Sequence, residues 1–162
     1  MKTVKVFVAL LLVATLLCGC AALQQEQTVT CGELSITLPN SFEDWSDDPS
    51  ADGLSFSYAN TRVGVCGVFE SKEYLQAYIP DLDAKQYAEL FVETNGLTST
   101  IEVVDGIPSF TYTAEGSPTF QYLCGVFESG ENFWVVQTYC ILEDFEEYQG
   151  DMWNYIASVS IT

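Results

Sequence analysis

The sequence predicts an α+β domain: a mainly antiparallel sheet of six to seven strands with helices packed on it. Three observations lead there. Short segments with two-residue alternation, or with unbroken apolar character, recur along the chain as strands do. Two longer segments, one central and one at the end, carry helical spacing instead. The order is three strands, helix, four strands, helix, which is the grouping of an α+β fold and not the strict alternation of a parallel α/β sheet. At 162 residues the chain is long enough for one domain with a substantial core and too short for two.

The elements follow in order. From Cys31, "ELSITLP" alternates Leu34, Ile36 and Leu38 against Glu33, Ser35 and Thr37, and Pro39-Asn40 stops it. "LSFSYAN" repeats the alternation with Leu54, Phe56 and Tyr58. "RVGVCGVFE" is nearly continuously apolar, as a strand covered on both faces should be. "KEYLQAYI" sets Tyr74, Leu75, Tyr78 and Ile79 at helical spacing before Pro80, either as a short helix or as an irregular cover. "DAKQYAELFVETNG" reads as a helix. Asp83 is its N-cap, Gln86 completes a capping box, Tyr87, Leu90, Phe91 and Thr94 share one face, and Gly96 ends it. "IEVVDGIPSFTYT" holds two strands around Asp105-Gly106, the dipeptide suited to a type I′ turn. After the turn "EGSP", "TFQYLCGVF" and "NFWVVQTYCIL" form a long hairpin around "ESGE", both arms apolar enough to be central. The final segment is a helix with an expected Asp144–Glu147 capping box. Its stripe of Phe145, Tyr148, Met152, Tyr155 and Ile156 should face the core.

This succession resembles the small lipoproteins of the PsbP/DcrB-like α/β/α sandwich group. The features that carry the likeness are the early "ITLP" strand, "LSFSYANTRVGV", the "AKQYAELF" helix, "VVDGIPSFTYT", the long apolar hairpin and a last helix ending "IASV". They run over residues 31–161. The group includes photosystem extrinsic proteins and bacterial envelope lipoproteins with no shared activity. The resemblance therefore implies a scaffold, and it transfers no functional residue.

The N-terminus differs from the rest. Lys2 and Lys5 precede the apolar run "VFVALLLVATLL", and small residues close it, which is the order of a secretory signal peptide. A membrane-spanning helix needs about 20 apolar residues, more than Val6 to Leu17 supplies. "Leu17-Cys18-Gly19-Cys20" resembles the bacterial lipobox. Cys20 fits as the lipidated residue, with Gly19 before it and Leu17 at the third position back. Cys18, which follows Leu16 and Leu17, does not fit, and it stands where the motif more often has Ala, Ser or Thr. The expected organisation is a signal peptide over 1–19, a lipidated Cys20 with a polar tether over 20–30, and one domain over 31–162. Palmitate-like acyl chains on Cys20 would hold the protein on the extracytoplasmic face of the cell membrane, each buried methylene adding about 0.8 kcal/mol.

Cleavage before Cys20 leaves three basic side chains, Arg62, Lys72 and Lys85, against 23 acidic ones, a formal charge of −20. Such a surface repels nucleic acid and anionic head groups. It reads as a solvated acidic exterior, with a basic partner or a divalent cation as the sharper alternative. The chain has no histidine, which excludes Ser-His-Asp and Cys-His catalysis and histidine metal ligation. No catalytic residue, cofactor or confident metal site is expected.

"CGVFES" occurs twice, at 66–71 and 124–129, without a wider internal repeat around it. Each copy reads as a central strand in which Gly67 and Gly125 leave room for an aromatic side chain from a covering helix. Cys31, Cys66, Cys124 and Cys140 raise the disulfide question in an exported domain. Cys140 should lie opposite Phe120 in the hairpin, too far along from Cys124 to bridge it. Cys66 and Cys124 can bridge only if their strands are neighbours. In the acidic stretch 43–53, Asp48, Ser50 and Asp52 resemble the start of a calcium loop, but the spacing supplies only a few of the six to eight oxygens calcium takes. The expected function is a membrane-anchored envelope lipoprotein, a non-enzymatic binding or accessory domain for an envelope protein or small ligand. The alternative is a calcium- or cation-responsive accessory domain that uses the acidic stretch.

Overall fold

The computed structural model describes residues 25–162; the expected signal peptide and Cys20 lie outside the described residues. In chain order the elements are β1 (Glu26–Cys31), β2 (Leu34–Pro39), β3 (Glu43–Asp44), β4 (Phe56–Ala59), β5 (Val63–Ser71), α1 (Lys72–Gln76), α2 (Ala84–Thr94), β6 (Glu102–Val104), β7 (Ile107–Ala114), β8 (Phe120–Glu128), β9 (Asn132–Ile141), α3 (Phe145–Ala157) and β10 (Ser160–Ile161). Seven strands form one antiparallel sheet in the order β3-β4-β5-β9-β8-β7-β6. A second sheet has the order β1-β2-β10. Helix α2 packs on one face of the large sheet, over Phe110, Cys124, Val126, Phe133 and Val135. The other face is covered by α3 and the small sheet, where Leu34, Ile36, Leu38 and Met152 meet Val65, Trp134 and Val136. The expected α+β architecture is therefore present, with one addition. The "ITLP" strand does not join the large sheet but centres a small sheet of its own.

That small sheet shortens the expected tether. Residues 26–30, assigned above to the polar linker, belong to β1, which pairs with β2 from Glu26 opposite Pro39 to Cys31 opposite Leu34. Its only buried side chain is Val29, so the segment carries little periodic signal. Glu33 ties the two sheets together. One of its carboxylate oxygens accepts hydrogen bonds from Ser129 Oγ, from Asn132 Nδ2 at 2.7 Å and from Trp134 Nε1 at 3.0 Å.

Several local expectations hold. Asp83 and Gln86 form the reciprocal capping box of α2. Asp105 and Gly106 both have positive φ, 52° and 85°, in a two-residue turn between Val104 and Ile107. "KEYLQ" is a short helix. Others change. The buried face of α2 is Tyr87, Ala88 and Val92, and Thr94 is exposed. Asp144 makes no side-chain cap, because it ends a 3₁₀ turn over Leu142–Asp144 that leads directly into α3. Cys140 faces Gln121, one residue from the expected partner, because the β8–β9 turn closes on the Ser129 N–H to Asn132 carbonyl bond.

The two "CGVFES" copies lie on either side of β9 in the same register. Cys66 and Cys124 both face Gln137, Gly67 and Gly125 both face Val136, Val68 and Val126 both face Val135, and Phe69 and Phe127 both face Trp134. One packing solution thus serves both neighbours of the central strand. Because β9 separates them, the two cysteines are about 10 Å apart at two inter-strand spacings. A disulfide needs less than about 7 Å between Cα atoms. The Cys66–Cys124 bridge is therefore corrected: both thiols are free, as are Cys31 and Cys140. The glycines also differ from expectation. A Cβ on Gly67 would run into the ring of Phe56, its cross-strand neighbour on β4, and one on Gly125 would lie 2.5 Å from Ile156 Cγ2 of α3.

Burial raises the Cys66 thiol to about 12 and pushes Cys124 well above its ordinary value. Since the thiolate is the nucleophile, alkylation of the native domain should modify half-buried Cys31 first. Cys66, Cys124 and Cys140 should react only on unfolding, as peptide mass mapping after a timed pulse would show. Rapid native labelling of Cys66 and Cys124 would contradict this packing.

Candidate functional site

An 11-residue helix is about 16 Å long, whereas the ten residues of β9 extend about 33 Å. Helix α2 consequently covers only part of its face of the large sheet. Two cross-strand rows run across that face, the tyrosines of the first half-buried and the second row buried. In the first, Tyr112 on β7, Tyr122 on β8, Tyr139 on β9 and Gly64 on β5 stand opposite one another. The Tyr112 and Tyr122 rings stack at 4.5 Å with 7° between planes, and Tyr122 stacks on Tyr139 at 5.2 Å. Gly64 is required here, because a Cβ would overlap the Tyr139 ring. In the second row, Phe110, Cys124, Gln137, Cys66 and Ser57 cross five strands. Gln137 is buried at its centre and accepts a hydrogen bond from the Tyr112 hydroxyl at 2.7 Å. Burial pushes the phenols of Tyr112 and Tyr139 up, and that of Tyr122 to about 12. The row therefore offers neutral hydroxyls at physiological pH.

Where this floor meets the carbonyl end of α2, the surface sinks into a groove of about 570 Å³. Phe91 and Tyr112 supply aromatic surface, Glu70 a carboxylate, and Asn95 and Gln137 amides, while the Phe69 ring packs on Trp134 at the opposite face of the sheet. The size falls within the range of small-molecule sites, about 300–1,000 Å³. Beneath its edge the Tyr87 hydroxyl is buried without a hydrogen-bond partner among the described residues, and its phenol is raised by burial and by nearby Glu70. Glu70 itself is exposed and makes no ion pair among the described residues. Among the described residues the basic side chains are engaged elsewhere. Arg62 lies 3.8 Å from Asp144, Lys85 lies 3.8 Å from Glu89, and Lys72 pairs with Glu128 while standing over the Phe133 ring.

The acidic stretch behaves differently. Asp48 caps a 3₁₀ turn over Pro49–Ala51, and its Oδ1 accepts from Ser50 N at 2.8 Å and Ser50 Oγ at 2.6 Å. Those bonds hold its carboxyl below the ordinary value. Asp44 is likewise used by Ser46 N and by the Tyr58 hydroxyl, both at 2.9 Å. The loop thus spends its oxygens on its own donors. Asp48 and Ser50 stand in direct contact, and among the described residues no group of three His, Cys, Asp or Glu side chains could hold a metal ion.

The sequence reading did not reach the groove. "QYLCGVF" and "WVVQTYC" look apolar on both faces, and the tyrosines become a row only once the register of three strands is known. Cys20, the expected lipidation residue, lies outside the described residues.

No protein-family model matches the chain, and no curated protein matches it. Solved structures do. A cyanobacterial PsbP from Synechocystis sp. PCC 6803 superposes with a TM-score of 0.60 at 10% identity, over 90% of this chain and 97% of that one. A protein from Bacteroides thetaiotaomicron superposes at 0.55 and 8% identity, over 85% of this chain and 48% of that one. A variant of Mog1 superposes at 0.50 and 14% identity, over 85% and 96%. At these identities the likeness defines the fold alone: the chain has the PsbP-like fold. Among the described residues no helix is long and apolar enough to cross a membrane.

Proposed function

We propose that the chain is a lipid-anchored envelope protein, held on the extracytoplasmic face of the membrane through Cys20. Its PsbP-like domain is a non-enzymatic binding module that takes a small ligand or partner on the open half of the large sheet. The observation that carries the binding role is the groove beside the tyrosine row. Half-buried stacked tyrosines with neutral hydroxyls lie beside it, and Phe91, Tyr112 and the exposed Glu70, which makes no ion pair among the described residues, line it where α2, shorter than the strands beneath it, ends. The anchor rests on the signal-peptide pattern and the lipobox-like ending at Cys20, and the absence of histidine from the sequence argues against Ser-His-Asp and Cys-His catalysis. The strand β1 begins six residues after Cys20, so the tether is short and the domain stays close to the bilayer.

Replacement of Cys20 tests the anchor. In Cys20→Ala the precursor is expected to remain uncleaved and to lose fatty-acid labelling, whereas the parent chain is labelled and recovered with membranes. Unchanged labelling of Cys20→Ala would remove Cys20 as the attachment point.

A further inference from the structure

We propose that the groove at the carbonyl end of α2 binds an organic ammonium ion, either a quaternary ammonium group or a linear polyamine. This deepens the binding role proposed above and names its ligand class. Four observations point to a cation with apolar surface. First, Phe91 and Tyr112 line one cavity, and aromatic faces attract cations while accepting their methylene or methyl groups. Second, Glu70 lies among them with no ion-pair partner among the described residues. Third, the groove is bordered by Thr94 and Asn95 at the end of α2, where a helix carries partial negative charge, and no basic residue occupies the last turn. Fourth, Arg62, Lys72 and Lys85 are already paired with acidic side chains, so the described domain has no spare cation for this negative site.

The chemistry also sets what is excluded. An anion would face Glu70, with no basic group lining the groove to receive it. A small hydrated metal ion would gain little from the aromatic walls, and the groove does not bring three metal-ligating side chains together. A desolvating, weakly hydrated ammonium is the ion that gains from ring faces and a carboxylate at once.

Calorimetric titration of the full lipidated chain in maltoside micelles, at fixed ionic strength, tests this with choline and spermidine as probes. Saturable binding at a single site is expected for at least one of them. Saturation by choline alone identifies a quaternary ammonium site, and by spermidine alone a polyamine site. Glu70→Gln removes the carboxylate at an exposed position, and Thr94→Lys places a tethered ammonium at the helix end. Each should weaken binding by at least about fivefold. Glu146→Gln makes the same charge change on α3 and should leave binding unaltered. Heat that tracks ionic strength without saturating, or equal weakening by Glu70→Gln and Glu146→Gln, would overturn the proposal. Unaltered melting of the exposed-site variants keeps loss of binding separate from loss of fold. The titration reads the groove and the Cys20→Ala experiment reads the anchor, so failure of one is distinguishable from failure of the other.

Discussion

Phe133→Ala is expected to destabilise the domain by about 3–5 kcal/mol, the range for truncating a fully buried aromatic side chain. Phe133 is completely buried on β9 beneath α2. Its ring stacks on Tyr87 at 4.7 Å with 15° between planes, and the Lys72 ammonium stands 5.1 Å from its centroid. Removal opens a cavity, strips Tyr87 of its stacking partner, and leaves Lys72 over empty space. Against a typical total of about 5–15 kcal/mol, such a loss leaves a small domain marginal. A urea titration reads it as a fall in midpoint. Tyr78→Ala, at a position 73% exposed, should change stability by less than about 0.5 kcal/mol.

Glu33→Ala is the second large effect, about 2 kcal/mol, on the scale for hydrogen bonds to a charged acceptor whose donors are left unpartnered. The Ser129 hydroxyl, the Asn132 amide and the Trp134 indole N–H all donate to one Glu33 oxygen, and Ser129 and Trp134 are buried. These bonds, that from Ser129 first, hold the Glu33 carboxyl below its ordinary value of 4.5. A carboxylate with a lowered folded-state value contributes stability above its unfolded value and loses it as pH falls through the folded one. The difference between the parent chain and Glu33→Gln should therefore be full above about pH 5 and shrink as pH drops below about 4.5. Unfolding midpoints at pH 7, 5 and 3.5 would show it. A difference independent of pH would mean that shape, and not charge, makes Glu33 fit.

What the sequence conveyed about the fold was whatever local chemistry writes down. Asp83 with Gln86 and Asp105 with Gly106 are short-range signals, and both appear where the spacing puts them. Leu34, Ile36 and Leu38 alternate because one face of β2 is buried. What escaped was set by distant partners. Glu33 looks like the outward member of an alternating strand, yet its hydrogen-bond partners lie 96 to 101 residues away. Residues 26–30 read as a polar linker because a short edge strand with one buried side chain has almost no pattern. The groove escaped for the same reason. Tyr112, Tyr122 and Tyr139 are scattered in sequence and become neighbours only through register, and a register misplaced by one residue hides them. The repeated "CGVFES" was legible as strand, but not that both copies embrace β9.

The lipid anchor is the premise of the functional reading, and the intact mass of the chain purified from membranes tests it most directly. The expected mass is that of residues 20–162 carrying a diacylglycerol group on Cys20, with or without a further acyl chain on its amino group. The mass of the unprocessed chain, or of an unmodified chain beginning at another residue, would contradict it.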